Sequence, residues 1–291
     1  MSIGSRLVFE MTANAEAPTL TPPKISLLTA ADIVPLPIDP ETGLTDRRWE
    51  SGFRVWTEGC EVAYIYEICP PSDADPKSSD GQGEEVQYQP YVIYASDACS
   101  TFSATRDFWG RATRKLILAE STKLERELWL GEAGGNPFLS DTPTTLAAAG
   151  TQEPWQGIGI LDQGLAECSA GRGMIHVRPF LMPYLQEHRA IRREGNIYLS
   201  PMDNIVVPGR GYPGTGPADQ AVGATEWMYA NTGIVQIRHS EIIYTPKQAD
   251  EGAQYVWTTN DRVVRAERIS HVALDPTCCV LATEVASLAV S

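Results

Sequence analysis

The sequence predicts a mixed α+β chain, and three observations predict it. Short runs of β-branched and aromatic residues alternate with Pro and Gly along most of the length, one stretch (106–132) holds helical spacing far longer than any other, and no unit repeats. The totals set the outer limits. Its 291 residues carry 23 Lys and Arg against 37 Asp and Glu, a formal charge of −14, which argues against a broad surface that neutralises phosphates. Residues 1–19 lack the apolar run of a secretory signal, and no segment approaches the ~20 apolar residues of a membrane span. A protein made inside the cell with no membrane partner is the expectation.

Taken in order, residues 1–45 carry prolines at 18, 22, 23, 35, 37 and 40 and no sustained period, so they read as an arm lying extended along a surface. From Arg54, "RVWTEGCEVAYIYEIC" and "EVQYQPYVIYAS" read as two strands, the second placing Val86, Tyr88, Val92 and Tyr94 on one face at period two. Between them, "PPSDADPKSSDGQGEE" carries five acids and one lysine, Lys77. So long a connection inside a compact unit is either a solvated acidic loop or a hairpin tip projecting toward a neighbouring molecule.

The stretch 106–132 is the long helix. Trp109, Ala112, Leu116, Ala119, Leu124 and Leu128 form one apolar stripe, which predicts packing on one side only. Ser100 and Ser103 are the candidate N-caps, and Gly131 stops the helix. Counted from those caps to Gly131, about thirty residues at 1.5 Å each give a rod about 45 Å long.

A Ser/Thr/Ala/Gly-rich link, "DTPTTLAAAGTQEP", leads to a second module. There "PWQGIGILDQGLAECSAGRG" reads as a short helix, "GMIHV" as a strand, "RPFLMPYLQEHRA" as a helix opening near a proline, and "GNIYLSPMDNIVVPGRGY" as a hairpin. "TEWMYANTGIVQIRHSEIIY" reads as a strand, and the closing segment holds three strand-like runs broken at Asn260-Asp261 and Asp275-Pro276.

Chemistry-bearing patterns are sparse. "GRGYPG" fits GxGxxG through Gly209, Gly211 and Gly214, but the helix that would hold a pyrophosphate is missing after it, so an exposed glycine loop is expected and no cofactor. The six cysteines are too few for a disulfide scaffold, and their spacing does not suit zinc, so no metal is expected. Cys168 with His176 could form a nucleophile pair only by meeting in space. Trp56 and Trp257 are expected in the core, and Trp49 at an interface.

The order of parts carries a resemblance. An arm, a two-stranded excursion with a long tip, one long helix ending in "LERELWLGE", a separate α+β module and a return to strands together resemble the major coat protein of tailed double-stranded DNA phages, the Hong Kong 97 fold. "PYVIYASDACSTFS", "GMIHVRPFLMPYL", "VPGRGYPGTGP", "WMYANTGIVQIR" and "VVRAERISHVALDPTCC" are similar to coat proteins of phages infecting actinobacteria.

The resemblance implies an N-terminal arm (1–45), an extended β-hairpin loop (46–98), a peripheral domain with a spine helix (99–153), an axial domain (154–246) and return strands of the peripheral domain (247–291). It implies a structural role without catalysis, as a shell-forming subunit of pentamers and hexamers enclosing DNA without binding it specifically, found in the virion and in the host cytoplasm during assembly. Contacts between copies would fall at Trp49, Lys77, Asp80, Arg210 and Tyr212, with the glycines near Arg210 permitting close approach between copies. Lys77 also stands where some relatives cross-link to a neighbour's asparagine, though no acceptor or catalytic acid here matches. The scaffolding segment of some relatives is not seen ahead of the arm, so the expectation is that scaffolding is either absent or supplied by another protein; separate scaffolding, decoration and portal proteins are the further partners the resemblance allows. Alternatives are a minor capsid or encapsulin-like compartment subunit of the same fold, or, from another class, an α+β hydrolase using Cys168 and His176.

Overall fold

The computed structural model describes residues 20–35, 52–57, 84–100, 107–146, 152–168, 171–245, 254–256 and 261–287. Its first elements are α1 (Leu27–Ala30), β1 (Asp32–Ile33), β2 (Phe53–Trp56), β3 (Glu85–Tyr88), β4 (Tyr91–Ser100) and the long helix α2 (Phe108–Leu130). The second module runs β5 (Thr144–Thr145), α3 (Pro154–Cys168), β6 (Gly173–Val177), a 3-10 turn (Pro179–Leu181) continuing into α4 (Met182–Glu187), β7 (Arg192–Glu194), β8 (Ile197–Leu199), β9 (Ile205–Pro208) and β10 (Thr225–Thr232). Five strands close the chain: β11 (Gln236–His239), β12 (Ile243–Thr245), β13 (Gln254–Val256), β14 (Asp261–Ala273) and β15 (Val280–Ala286).

Two sheets organise these parts. One is centred on β14, which pairs with β4, β11, β12 and β13, while β1 adds to β11; the other runs β5-β15-β10-β6-β9-β8-β7. A two-stranded ribbon, β2 with β3, stands apart. The segment 247–291 is therefore split, which differs from its expected return as a block: β14 lies beneath α2, but β15 crosses to pair with β10. Strands β11 and β12 in turn leave the second module and join β14.

The α2 rod is shorter than the sequence suggests. Asp107 is its N-cap, its carboxylate accepting from the Gly110 N–H at 2.8 Å; Ser100 is instead the last residue of β4, and Ser103 lies outside the described residues. Gly131, at φ 63° and ψ 40°, takes the left-handed position that ends a helix. The 23 residues give a rod of about 35 Å. Ala112, Leu116, Leu124 and Leu128 form the buried stripe against β4 and β14, but Ala119 faces solvent. The C-terminal half buries Ser121, Glu125 and Glu127 as well, so α2 is covered on more than the one expected side.

A change of face explains the other departure. Tyr88 on β3 is fully buried, whereas Val92 and Tyr94 on β4 are 54% and 64% exposed. Gln89 and Pro90 intervene, and the two strands pair with different partners, so the period-two count does not carry across them. On β4 it is Ile93, Ala95 and Asp97 that turn toward α2.

The seven-stranded sheet is covered on both faces, and strict alternation does it. Met174, Ile205, Val207, Trp227 and Tyr229 join the core around α2, while Ile175, Val177, Val206, Met228 and Ala230 pack with Ile158, Leu161 and Leu165 of α3. Asp162 pins α3 to the β8–β9 turn, accepting from Ser200 Oγ at 2.6 Å and Asn204 Nδ2 at 2.9 Å. In the described part of the N-terminal segment, Leu27 is fully buried in the α2 core, so this part penetrates the body where an arm on the surface was expected.

Candidate assembly site

The glycine loop between β9 and β10 sits on α2. Gly211 donates its N–H to Glu125 Oε2 at 2.8 Å, and Glu125 Oε1 accepts from Leu27 N at 3.1 Å and Ser121 Oγ at 2.9 Å. One carboxylate, 1% exposed, thus fastens the long helix, the N-terminal segment and the loop together. Burial pushes its pKa up, opposed by those same hydrogen bonds. A Cβ on Gly211 would stand 2.2 Å from the Thr122 carbonyl oxygen, and one on Gly209 would stand 2.5 Å from the Tyr212 ring. Gly214 has φ 79°. These glycines permit close approach inside the subunit, which corrects the exposed loop expected of them.

Next along the loop, Tyr212 is 3% exposed, its ring 5.0 Å from that of Trp129 and its hydroxyl 2.7 Å from His176 Nδ1. His176 Nε2 lies 2.8 Å from Asn231 Oδ1, while the Asn231 amide donates to the carbonyls of Thr232 and Gly233. The asparagine oxygen is therefore the acceptor, His176 carries its proton on Nε2, and Nδ1 accepts from the tyrosine. Burial lowers the His176 pKa to about 4. Of the sequence candidates, Arg210 is exposed, Tyr212 is spent in this internal network, and Trp49, Lys77 and Asp80 lie outside the described residues.

The hydrolase alternative ends here. Cys168 is joined to Cys279 by a disulfide across 111 residues, so it offers no thiolate, and His176 is fully buried with both ring nitrogens engaged. The bridge is one that the sequence did not anticipate. An open depression of about 650 Å³ over α3 is lined by Trp155, Gly159, Gln163 and His188, and that histidine is held between the Trp155 ring at 6.0 Å and the Tyr184 ring at 4.3 Å. Among the described residues no His, Cys, Asp and Glu side chains gather in a group that could hold a metal, and no helix is long and apolar enough to cross a membrane.

What the structure exposes is apolar surface on strands. Trp56, expected in the core, is 72% exposed; Trp257 lies outside the described residues. Val92 and Tyr94 face away from α2, opposite Ile269 and Glu267 of β14. The second module adds Phe180 at 43% and Met202 at 63%. Exposed aromatics of this kind suit interfaces. The Pro90 break was the sequence signal for Val92 and Tyr94, whereas nothing in the sequence distinguishes Trp56 from a core tryptophan.

The ribbon that carries Trp56 is rooted firmly. Phe53 and Tyr88 pack on His271 with ring centroids 4.3 and 5.1 Å away, and the Arg238 guanidinium lies 4.8 Å from the Phe53 centroid. The Tyr88 hydroxyl donates to the Leu274 carbonyl. Asn136 closes the corner, exchanging two hydrogen bonds with the Gln89 backbone at 2.7 and 2.8 Å.

No protein-family model matches the chain, and no curated protein does. Solved structures do. The capsid of a native GTA particle covers 98% of this chain and 98% of its own at TM-score 0.60 and 10% identity. A structure of Mycobacterium phage Ogopogo covers 96% and 98% at TM-score 0.54 and 12% identity. The holo-SrpI encapsulin complex of Synechococcus elongatus covers 96% and 94% at TM-score 0.57 and 11% identity. Similarity this low in sequence and this complete in extent identifies a fold: the chain has the α+β phage coat-protein fold of the Hong Kong 97 type.

Proposed function

From the coat-protein fold shared over nearly the whole chain, we propose that this is a structural virion protein, a subunit that assembles with its own copies through pentamers and hexamers into an icosahedral shell around double-stranded DNA. The observation that carries the reading is coverage: the capsid of the GTA particle accounts for 98% of this chain, leaving almost nothing over for a separate catalytic module. The exposed Trp56, Val92 and Tyr94 support it, because a lone molecule gains nothing by holding large apolar side chains in water on a firmly rooted ribbon and strand.

In this reading the sheet of β4 and β14 with α2 is the peripheral part and the seven-stranded sheet the axial part. The segment around Lys77 and Asp80 reaches a neighbour, with Trp49 and Arg210 as further contacts. Scaffolding, decoration and portal proteins act as separate partners. A second reading, a protein compartment without a genome, rests on the similarity to the SrpI encapsulin complex.

Negative-stain imaging of the purified full chain tests both. Closed shells, capsomers or extended sheets are expected. Small discrete particles at every concentration that keeps the protein folded would overturn the proposal. Nuclease-protected DNA in particles from infected cells favours the virion, and protein cargo the compartment.

A further inference from the structure

The long helix has sorted its charges by sign. Of the eight charged residues on α2, the three acids Glu120, Glu125 and Glu127 point inward and are 3%, 1% and 6% exposed. The five bases, Arg111, Arg114, Lys115, Lys123 and Arg126, are on the solvent side. Arg111, Lys115, Ala119 and Lys123 follow one another at four-residue steps, so Arg111, Lys115 and Lys123 form a ridge about 18 Å long, flanked on one side by Arg114 and Arg126.

Nearby carboxylates offset it only in part. Asp97, 2% exposed, holds Arg111 at 3.2 Å and Lys115 at 2.6 Å; Asp107 lies 3.9 Å from Arg114, and Glu132 accepts from Arg126 Nε at 2.8 Å. Among the described residues, five cations against three carboxylates leave an excess of two, in a chain whose formal charge is −14. The pairs to Asp107 and Glu132 are exposed, so exchanging them for another anion costs little.

We infer that this ridge contacts the backbone phosphates of double-stranded DNA without reading its sequence, and that α2 therefore lines the inner wall of the shell. The inference rests on the virion reading and adds to it a DNA-facing side. Its chemistry favours nucleic acid over a second copy of the chain. Protein interfaces are anchored by aromatic residues and poor in lysine. The ridge has no aromatic residue, whereas Tyr94 and Val92 stand on the opposite face of the same helix-on-sheet layer. Phosphates are met by arginine and lysine. The overall negative charge then limits DNA contact to this strip.

The test is anisotropy of a fluorescein-labelled duplex of about 25 base pairs, titrated with the full chain between about 50 and about 200 mM NaCl. Wild type is compared with Arg114→Gln/Lys123→Gln/Arg126→Gln, which spares the two bases on buried Asp97. With four to five phosphate contacts, log K should fall against log salt with a slope of about −4, and the triple variant, left with one or two, should bind about ten-fold or more weakly with a slope of about −1 to −2. Arg172→Gln/Arg193→Gln, at exposed positions of the second module, should bind as wild type. A wild-type slope shallower than about −1, equal binding by the triple variant, or binding to polyglutamate but not to the duplex would overturn the inference. Negative stain of the same samples keeps the two proposals apart: a wild type that never forms shells counts against the virion, and a wild type that forms shells but ignores the duplex counts against the ridge alone.

Discussion

His176 and His271 are each at most 1% exposed, and each is held neutral for a different reason. His176 is satisfied by Tyr212 and Asn231, partners 36 and 55 residues away that no reading of neighbours along the chain could supply. His271 is caged by Phe53 and Tyr88, and its ring nitrogens have no hydrogen-bond partner among the described residues. Burial, aided by the nearby Arg238 cation, lowers the His271 pKa to about 3. Both folded values lie below the ordinary 6.5, so folding favours the neutral ring: the stabilisation is present above pH 6.5 and is lost as pH falls toward the folded values. Urea midpoints should therefore drop between pH 6.5 and 4. His271→Phe keeps the packing and removes the stranded nitrogens, so it should flatten that slope and raise stability at pH 5 by about 1–3 kcal/mol.

At the scale of elements, glycine usage shows what the sequence could and could not reveal. Gly131 was legible as the end of α2, because a glycine after a long periodic run supplies the left-handed residue that helices end on. Gly211 was legible only as part of a loop; its task of letting that loop touch the Thr122 carbonyl depends on an element some 90 residues earlier. The start of α2 was misread because serine and aspartate cap equally well, and only the extension of β4 to Ser100 decides between them. Gly211→Ala should cost about 2–3 kcal/mol in urea denaturation, since the added Cβ meets the α2 backbone at Thr122 and the Glu125 Cβ one turn on. Gly159→Ala, on the open side of α3 with nothing within 4 Å, should instead be neutral or stabilising by up to about 1 kcal/mol.

For the whole molecule, the α+β class and the one long helix were visible because hydrophobic period and turn residues are local signals. The exchange of strands between sheets was not, since β11, β12 and β15 look alike in sequence and are assigned by long-range pairing. The same limit hid the disulfide. Cys168 ends α3 and Cys279 precedes β15, so the bridge closes 111 residues and ties the helix layer to its sheet. In the chain-entropy account a loop of that size contributes about 4–5 kcal/mol. A Cys168→Ser/Cys279→Ser variant should therefore melt on the order of 10 °C below the oxidised wild type in calorimetry, and reductant should move the wild type toward it.

Strand β14 also sets a clock. Ser100 of β4 pairs with Asp261, and Tyr91 with Ser270, so a strand early in the chain waits for one made more than 160 residues later. At about 5–20 residues per second on the ribosome, that wait is roughly 10–30 s. Until it ends, the wall of strands beneath α2 lacks its central member, and a nascent chain has no finished face to offer another. Completion of that layer is thereby tied to the synthesis of β14 rather than to that of α2 or β4.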